Sequence, residues 1–378
     1  MIPLSIPNIS GNELKYVKEC LETGWISTAG DFVTRFENDF SDFVKSNGAV
    51  SVVNGTSALH LALQALGVKS GEKVVIPNIT FVASANAISY MGAEPILVDI
   101  NEETWQMDLN ILEDFLEKDC KNIDGDIVEA SSNKRVAAIM IVHVQGNICN
   151  MDELLRISKK FNLPILEDAA EALGSKYRES YAGTMGEIGC YSFNGNKIIS
   201  TGGGGMIIAK DKKLLNKIRH LATTAKTDPL RYFHDEVGYN YRLVNVLSAI
   251  GVAQLEQLDA FIKRKNEISL FYRENLQNTG DIGFQKISDD VYSNEWLFTI
   301  LTNQMEELLK FLNKNMIMSR PFWVPMNKLP MYSNCSYISS NSISERVHLR
   351  ALSIPCSTNI SQPELEEVIK KIKDFYKT

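Results

Sequence analysis

A single primary amine sits beside the most permissive backbone of the chain. In the stretch "CYSFNGNKIISTGGGGM", Lys197 follows the turn "FNGN" and precedes the run Gly202 to Gly205. Four glycines in a row either cradle a phosphate or let backbone pass close to something flat and bulky. A phosphate loop of the form GxxxxGK[ST] places its lysine after the glycines with Ser or Thr beside it. Here Lys197 comes before them and is followed by Ile198. That order favours close backbone passage near a ring.

Three other stretches carry compatible chemistry. "VVNGTSALHLAL" runs a strand through Asn54, Gly55, Thr56 and Ser57 straight into a helix, so free amides and two hydroxyls converge at a positive helix end. Alone, this reads equally as an ordinary helix cap. "PILEDAAEALGS" delivers Glu167 and Asp168 at the end of an apolar strand, one facing each way, so one carboxylate points into the crevice. "IPNITFVASANAI" puts Phe81 just after a strand, where its face can stack on a ring or simply fill core. An amine, a strand-end carboxylate and a helix-end anion seat together match the needs of pyridoxal phosphate: a nucleophile for its aldehyde, a partner for its pyridine nitrogen and amides for its phosphate.

The elements that must position these groups are readable in outline. From Ala49, short β-branched runs ("AVSVV", "KVVIP", "PILVDI", "VAAIMIVHV", "PILEDA") alternate with helical patterns such as "SALHLALQALGV" and "MDELLRISKKFNL". The alternation predicts an α/β fold with a largely parallel sheet, and ligands at the carboxyl ends of its strands. The polar segment from Lys118 to Arg135 is expected to be a surface loop or short helix without chemistry. After about Gln254 long charged helices and the strand-like "WLFTIL" predict a smaller α+β unit, closed by a helix opened at Ser361 and Pro363. The expected division is residues 1–250 and 251–378.

Composition narrows the partners. A 378-residue chain with 44% hydrophobic residues can bury a large core and divide in two. Its net charge is −7, and its 39 Lys and Arg are dispersed rather than gathered in a basic arm, which argues against nucleic acid and anionic membrane as partners. Six scattered cysteines without a CxxC pair suggest neither a metal site nor a disulfide framework. With no leader-like start and no apolar run long enough to span a bilayer, a cytoplasmic location is expected.

The ordered motifs "GWISTAGDFVTRFE", "NGTSALHLALQALG", "IPNITFVASANAI", "EDAAEALGS", "SFNGNK" and "GYNYRLVNVLSAIGVAQLEQL" resemble the PLP-dependent sugar-nucleotide aminotransferases of fold type I, the DegT/StrS group. The likeness extends from Trp25 to "RPFWVP". It implies a large α/β domain with a mostly parallel seven-stranded sheet plus a small C-terminal α+β domain. It also implies a ping-pong transamination with glutamate as donor. Lys197 matches the lysine that carries the cofactor and Asp168 the partner of the pyridine nitrogen. Phe81 matches the stacking aromatic, and Gly55, Thr56, Ser57 and Ser192 match the phosphate contacts. Asn240 matches a phosphate contact supplied by a neighbouring subunit, so a homodimer with shared sites is implied. Glu171 stands near the ring oxygen where many relatives have Gln or His, and Gly203 stands where many have Glu. A dehydratase on this scaffold would carry His in place of Lys197.

For the substrate side the candidates are Trp25, Ile26, Ser27, Lys226, Tyr239, Arg242, Arg320 and Trp323, with Arg231 as a further cation. A nucleotide diphosphate approaching an acidic protein needs such placed cations. The finer resemblance, resting on "SFNGNK", "TGGGG" and "HDEVGYNYR", is to enzymes that aminate C4 of a UDP- or GDP-linked 4-keto-6-deoxy-N-acetylhexosamine toward legionaminic acid. Perosamine-like or bacillosamine-like pathways, and a non-catalytic PLP-fold regulator, are the alternatives.

Overall fold

The computed structural model describes residues 1–228 and 230–377. Its main sheet runs, strand by strand, Ala49–Val52, Gly205–Ala209, Ile188–Ser192, Ile165–Asp168, Lys134–Val142, Lys73–Pro77, Glu94–Val98 and Tyr337–Ile338. The stretch from Ile188–Ser192 to Tyr337–Ile338 is parallel, while Gly205–Ala209 pairs antiparallel with both of its neighbours. The seven strands that the resemblance implies are therefore extended to ten, by the short strand Tyr337–Ile338 from the C-terminal part of the chain and by the pair Cys120–Ile123 and Asp126–Glu129 beside Lys134–Val142.

Burial explains why these strands are apolar over most of their length. In Lys134–Val142, Ile139 and Ile141 pack into one hydrophobic cluster and Ala138 and Met140 into another on the opposite face. Helices cover both faces, so period-two alternation disappears from the sequence. Each buried Ile contributes about 1.5–3 kcal/mol of transfer energy. Three of the helices start at side-chain caps, where Asp108, Asn150 and Asp211 each accept amides of the following turn.

The segment from Lys118 to Arg135 is a hairpin rather than a loop or short helix. Cys120–Ile123 pairs with Asp126–Glu129, which continues onto Lys134–Val142. Asp124 and Gly125, at φ 53° and 93°, form the two-residue turn. Asp-Gly favours this geometry because both central residues take positive φ. The exposed edge leaves most of the polar side chains in water, which is why their composition reads as loop, whereas Glu129 is buried against Lys73.

Beyond residue 250 the chain does not separate cleanly. Residue 250 lies inside the helix Asn245–Leu255. A second sheet, in the order Gly283–Phe284, Phe298–Leu301, Ala351–Ile354 and Arg320–Pro321, has its own hydrophobic cluster with the helices Leu258–Leu276, Met305–Lys314 and Gln362–Phe375. Between these elements the chain returns to the main sheet. Buried Asp99 anchors it there, accepting from Ser339 Oγ and from the Ile343 and Ser344 amides at 2.5, 2.7 and 2.8 Å. The N-terminus joins the second sheet's layer, where the Cys356 amide donates to the Leu4 carbonyl. Among the described residues no helix is long and apolar enough to cross a membrane.

Candidate active site

A pocket lies at the carboxyl ends of the main-sheet strands, where the second sheet closes against them. It is lined by Gly55, Thr56, Phe81, Asp168, Glu171, Ser192, Lys197, Arg320 and Trp323 among others. Nine candidates from distant parts of the sequence thus converge.

The strand Ile165–Asp168 separates its two terminal carboxylates. Glu167 points away from the pocket and accepts from His143 Nε2 at 2.8 Å and from the amides of Gly183, Met185 and Gly186. Burial raises its pKa, but His143 and those amides outweigh burial and hold the carboxyl below its ordinary value. Asp168 points into the pocket. Its Oδ2 accepts from Ser84 Oγ at 2.8 Å and its Oδ1 from the Ala170 amide at 3.1 Å. Burial raises its pKa against these bonds and against the nearby Lys197 charge. A cation placed against Asp168 would reverse that shift, and a protonated pyridine nitrogen is such a cation.

Lys197 reaches in from a turn in which its amide donates to the Asn194 carbonyl. Its Nζ lies 3.7 Å from Glu171 Oε1 and 3.9 Å from the centroid of the Trp296 ring. Burial lowers the pKa of Lys197, with Glu171 and Asp168 opposing it. The same burial pushes Glu171 up to about 7. A nucleophilic amine requires this kind of environment, because it must lose its proton near neutral pH.

The anion seat is the start of the helix Gly55–Ala65. Asn54 caps it, accepting the Ser57 amide at 2.7 Å. The first-turn amides of Gly55 and Thr56 have no intrahelical partner, which suits a phosphate. Gly55 is required by close approach: a Cβ there would meet Ser192 Cβ at 2.8 Å. The pocket therefore fits pyridoxal phosphate, with an amine and a carboxylate inside it and an open helix end in its wall.

The glycine run works differently from the sequence expectation. Only Gly203 of the four lines the pocket. A Cβ on Gly205 would meet the Asn54 carbonyl carbon and oxygen at 2.7 Å, so that glycine lets its strand pack against the loop that caps the anion seat. At Gly205 the close passage is between two backbones, and Gly203 is the member of the run that faces the pocket.

Several predicted residues lie outside this pocket. Ser57 borders a neighbouring groove with His60, Tyr90 and Tyr241. Tyr239 stacks on Tyr241 at 4.9 Å, and Arg242 approaches Glu37 at 3.5 Å. Lys226 lies over the Tyr232 ring at 5.0 Å, and Arg231 pairs with Asp228. Trp25 and Ile26 are exposed, and their segment is tied to Asn245, whose Nδ2 donates to the Trp25 carbonyl and whose amide donates to that of Ser27. Asn240 is exposed beside the bridge to Thr223. Within one chain none of these reaches the Lys197 pocket.

Sequence reasoning named Asn54 only as part of the helix-end stretch, without a role of its own, and missed three further contributors. Asn54 and Ser84 lie inside motifs already singled out, and their spacing to Ser57 and Phe81 was the available signal. Gln145 carried no signal; it sits at φ 59°, its amide donates to Glu171 Oε2 at 2.8 Å, and its side chain donates to Thr299 Oγ1 at 2.7 Å. Trp296 lies about a hundred residues beyond Lys197, and only the fold brings its ring to the amine.

Comparison with known proteins agrees with this geometry. The description "DegT/DnrJ/EryC1/StrS aminotransferase family" matches residues 7–373. A protein of Escherichia coli O157:H7 named GDP-perosamine synthase is 40% identical over 378 residues, covering 99% of this chain and 98% of its own. The UDP-4-amino-4,6-dideoxy-N-acetyl-beta-L-altrosamine transaminase of Campylobacter jejuni is 31% identical, covering 100% of both. The crystal structure of S. venezuelae DesV in complex with a ketimine intermediate superposes with a TM-score of 0.86 at 26% identity, covering 97% of this chain and 95% of that one. The chain belongs to the DegT/DnrJ/EryC1/StrS aminotransferase family and is a pyridoxal-phosphate-dependent aminotransferase of nucleotide-sugar type.

Proposed function

We propose that this enzyme transfers an amino group from glutamate to the C4 ketone of a GDP-linked 4-keto-6-deoxy sugar, giving a perosamine-type product. The observation that carries the chemistry is the convergence of Lys197, Asp168 and Glu171 with the Gly55–Ser192 cradle in one pocket. The choice of sugar is supported by whole-length similarity to relatives named GDP-perosamine synthase, at 40% identity in E. coli and 35% in Vibrio cholerae.

When bound, pyridoxal phosphate supplies an electron sink for the bond that breaks at the donor's Cα. The chain's residues do the rest. Gly55, Thr56 and Ser192 hold the phosphate. Asp168 keeps a proton on the pyridine nitrogen. Phe81, exposed at the pocket wall, offers its face to the ring. Lys197 Nζ removes and returns the Cα proton as well as serving as the anchoring amine. Arg320 and Trp323, on the second-sheet side, face the incoming substrate.

A homodimer completes the site in this reading. Asn240, Lys226, Tyr239 and Arg242, which miss the pocket of their own chain, would serve the partner's pocket together with Trp25, Ile26 and Ser27. The segment carrying the first group exposes Leu230, Tyr232, Phe233 and Val237, and exposed apolar residues so grouped suit an arm docked on another surface.

The N-acetylated substrate of the legionaminic-acid type stands second, supported by the C. jejuni transaminase named for an N-acetyl altrosamine product. Supplying the two 4-keto nucleotide sugars separately with glutamate, and measuring amino-sugar formation by mass spectrometry, decides between them. At least tenfold higher kcat/KM is expected for the GDP-linked sugar. The reverse preference would replace the first reading with the second.

A further inference from the structure

Lys197 is gripped between two unlike neighbours. Glu171 presents Oε1 at 3.7 Å, and the Trp296 ring covers the other side at 3.9 Å. Glu171 cannot swing freely, because its Oε2 accepts the Gln145 amide at 2.8 Å. Gln145 is itself buried in a left-handed conformation at φ 59°, which is strained for a non-glycine residue. Its side chain offsets that strain by donating to Thr299 Oγ1, which pairs with Ser353 Oγ at 2.8 Å. One carboxylate oxygen is pinned and the other is left for the amine. The remaining charged groups facing the pair are Asp168, whose oxygens are engaged by Ser84 and Ala170, and Arg320 across the pocket. No ion pair joins either of them to Lys197 or Glu171 among the described residues.

We propose that Glu171 is a second acid–base residue that exchanges one proton with Lys197, the 3.7 Å between Glu171 Oε1 and Lys197 Nζ closing to a hydrogen bond as the proton passes. When the Lys197 amine must attack a carbonyl carbon, its ammonium N–H bond breaks. The electron pair stays on nitrogen and the proton forms an O–H bond on Glu171. When the amine is released, the proton returns. The pair's net charge is unchanged, so no outside acid or base is consumed. Burial disfavours both charged forms and so favours the neutral pair, while mutual attraction and the Trp296 face favour the ion pair. The opposing effects leave the proton transferable.

This inference deepens the assignment of Lys197 as the reacting amine. Its test therefore uses cofactor-free protein. Reductive methylation with formaldehyde and cyanoborohydride, read at the Lys197 peptide by mass spectrometry across pH, reports the fraction of free amine. In Glu171→Gln the ammonium loses its counter-ion, so the pH of half-maximal labelling is expected to fall by about one to three units. An unchanged midpoint would reduce Glu171 to a brace. Should Glu171→Gln fold poorly, Lys197→Met tests the same coupling from the other side. Infrared titration of its Glu171 carboxyl stretch, assigned against Lys197→Met/Glu171→Gln, is expected to move up by about one to three units, and no movement overturns the proposal. Failure of the wild-type protein to bind pyridoxal phosphate, seen by absorbance, would instead strike the underlying assignment of Lys197.

Discussion

On the floor of the pocket, Asp168 has a protein donor on each carboxylate oxygen, and Glu171 has its second oxygen pinned by Gln145. At the rim, Phe81 is 52% exposed and Arg320 stands in solvent, on a strand only two residues long. The floor is built at the ends of strands covered on both faces, so its geometry is set before any ligand arrives. The rim is built from short elements and exposed loops, and its groups keep unused donors and ring faces. The contrast separates the requirements of amine chemistry from the choice of sugar: the first needs fixed charge in low dielectric, and the second needs open surface.

The contrast breaks most severely at Lys197. Lys197→Ala is expected to reduce transamination by at least about 10⁴-fold, since both the anchoring amine and the proton carrier are lost. The fold should persist, because the side chain projects from a turn rather than a packed helix. Steady-state turnover without added amines, with circular dichroism alongside, checks it, and a substantial residual rate would remove Lys197 from the chemistry. Asp168→Asn comes next. An amide cannot hold the pyridinium proton, so kcat is expected to fall about 10- to 1,000-fold while the phosphate cradle keeps the cofactor bound. Loss of cofactor with kcat restored at saturating pyridoxal phosphate would make Asp168 a structural residue instead.

Much of the floor was legible because its residues sit in locally meaningful places. Asp168 closes an apolar strand and Gly55 opens a helix, so position in sequence carries position in the fold. The sheet was legible for the same reason, through alternation of buried strands with helices. What failed to show was whatever depends on a contact between distant segments. Trp296 reaches Lys197 only through the second sheet, and Gln145 owes its strained backbone to Thr299 and Glu171. The hairpin at Cys120–Glu129 was hidden by the polar side chains that an edge strand can carry, although Asp124–Gly125 was a readable turn. Trp25, Ile26, Ser27, Lys226, Tyr239, Asn240 and Arg242 were assembled from the motif pattern, and within one chain they lie outside the Lys197 pocket.

A smaller effect sharpens the description of the floor as a region of buried charge. Glu171 has its pKa raised from 4.5 to about 7 in the folded, cofactor-free protein. Between those values the folded state holds a proton that the unfolded state has lost. Stability therefore falls as pH rises from about 4.5 through about 7, by up to roughly 3 kcal/mol. Lys197, whose pKa is lowered, acts in the opposite sense at alkaline pH, where the unfolded state holds the extra proton. Thermal unfolding of the cofactor-free protein from pH 4.5 to 7.5 should show a decline that is flatter in Glu171→Gln. Parallel curves would mean that Glu171 titrates as an ordinary carboxylate.

The smallest effect is expected at the rim. Arg320 and Ser353 are cross-strand neighbours, and Ser353 pairs in turn with Thr299, so these three side chains share the face of the second sheet that closes the pocket. Only Arg320 on that row carries charge, and its guanidinium offers a planar fork that a diphosphate can accept in two hydrogen bonds. Lysine keeps the charge and loses the fork. Arg320→Lys is therefore expected to raise KM for the nucleotide sugar about tenfold, or about 1.4 kcal/mol, with little change in kcat, as for an interaction made equally before and during the reaction. The half-reaction with glutamate, which involves no diphosphate, should keep its rate in single-turnover absorbance measurements. Equal impairment of both halves would place Arg320 on the donor's carboxylate. The rim would then divide differently, with the diphosphate left to Lys226 and Arg231 of a second chain, whose present partners Tyr232 and Asp228 would have to release them.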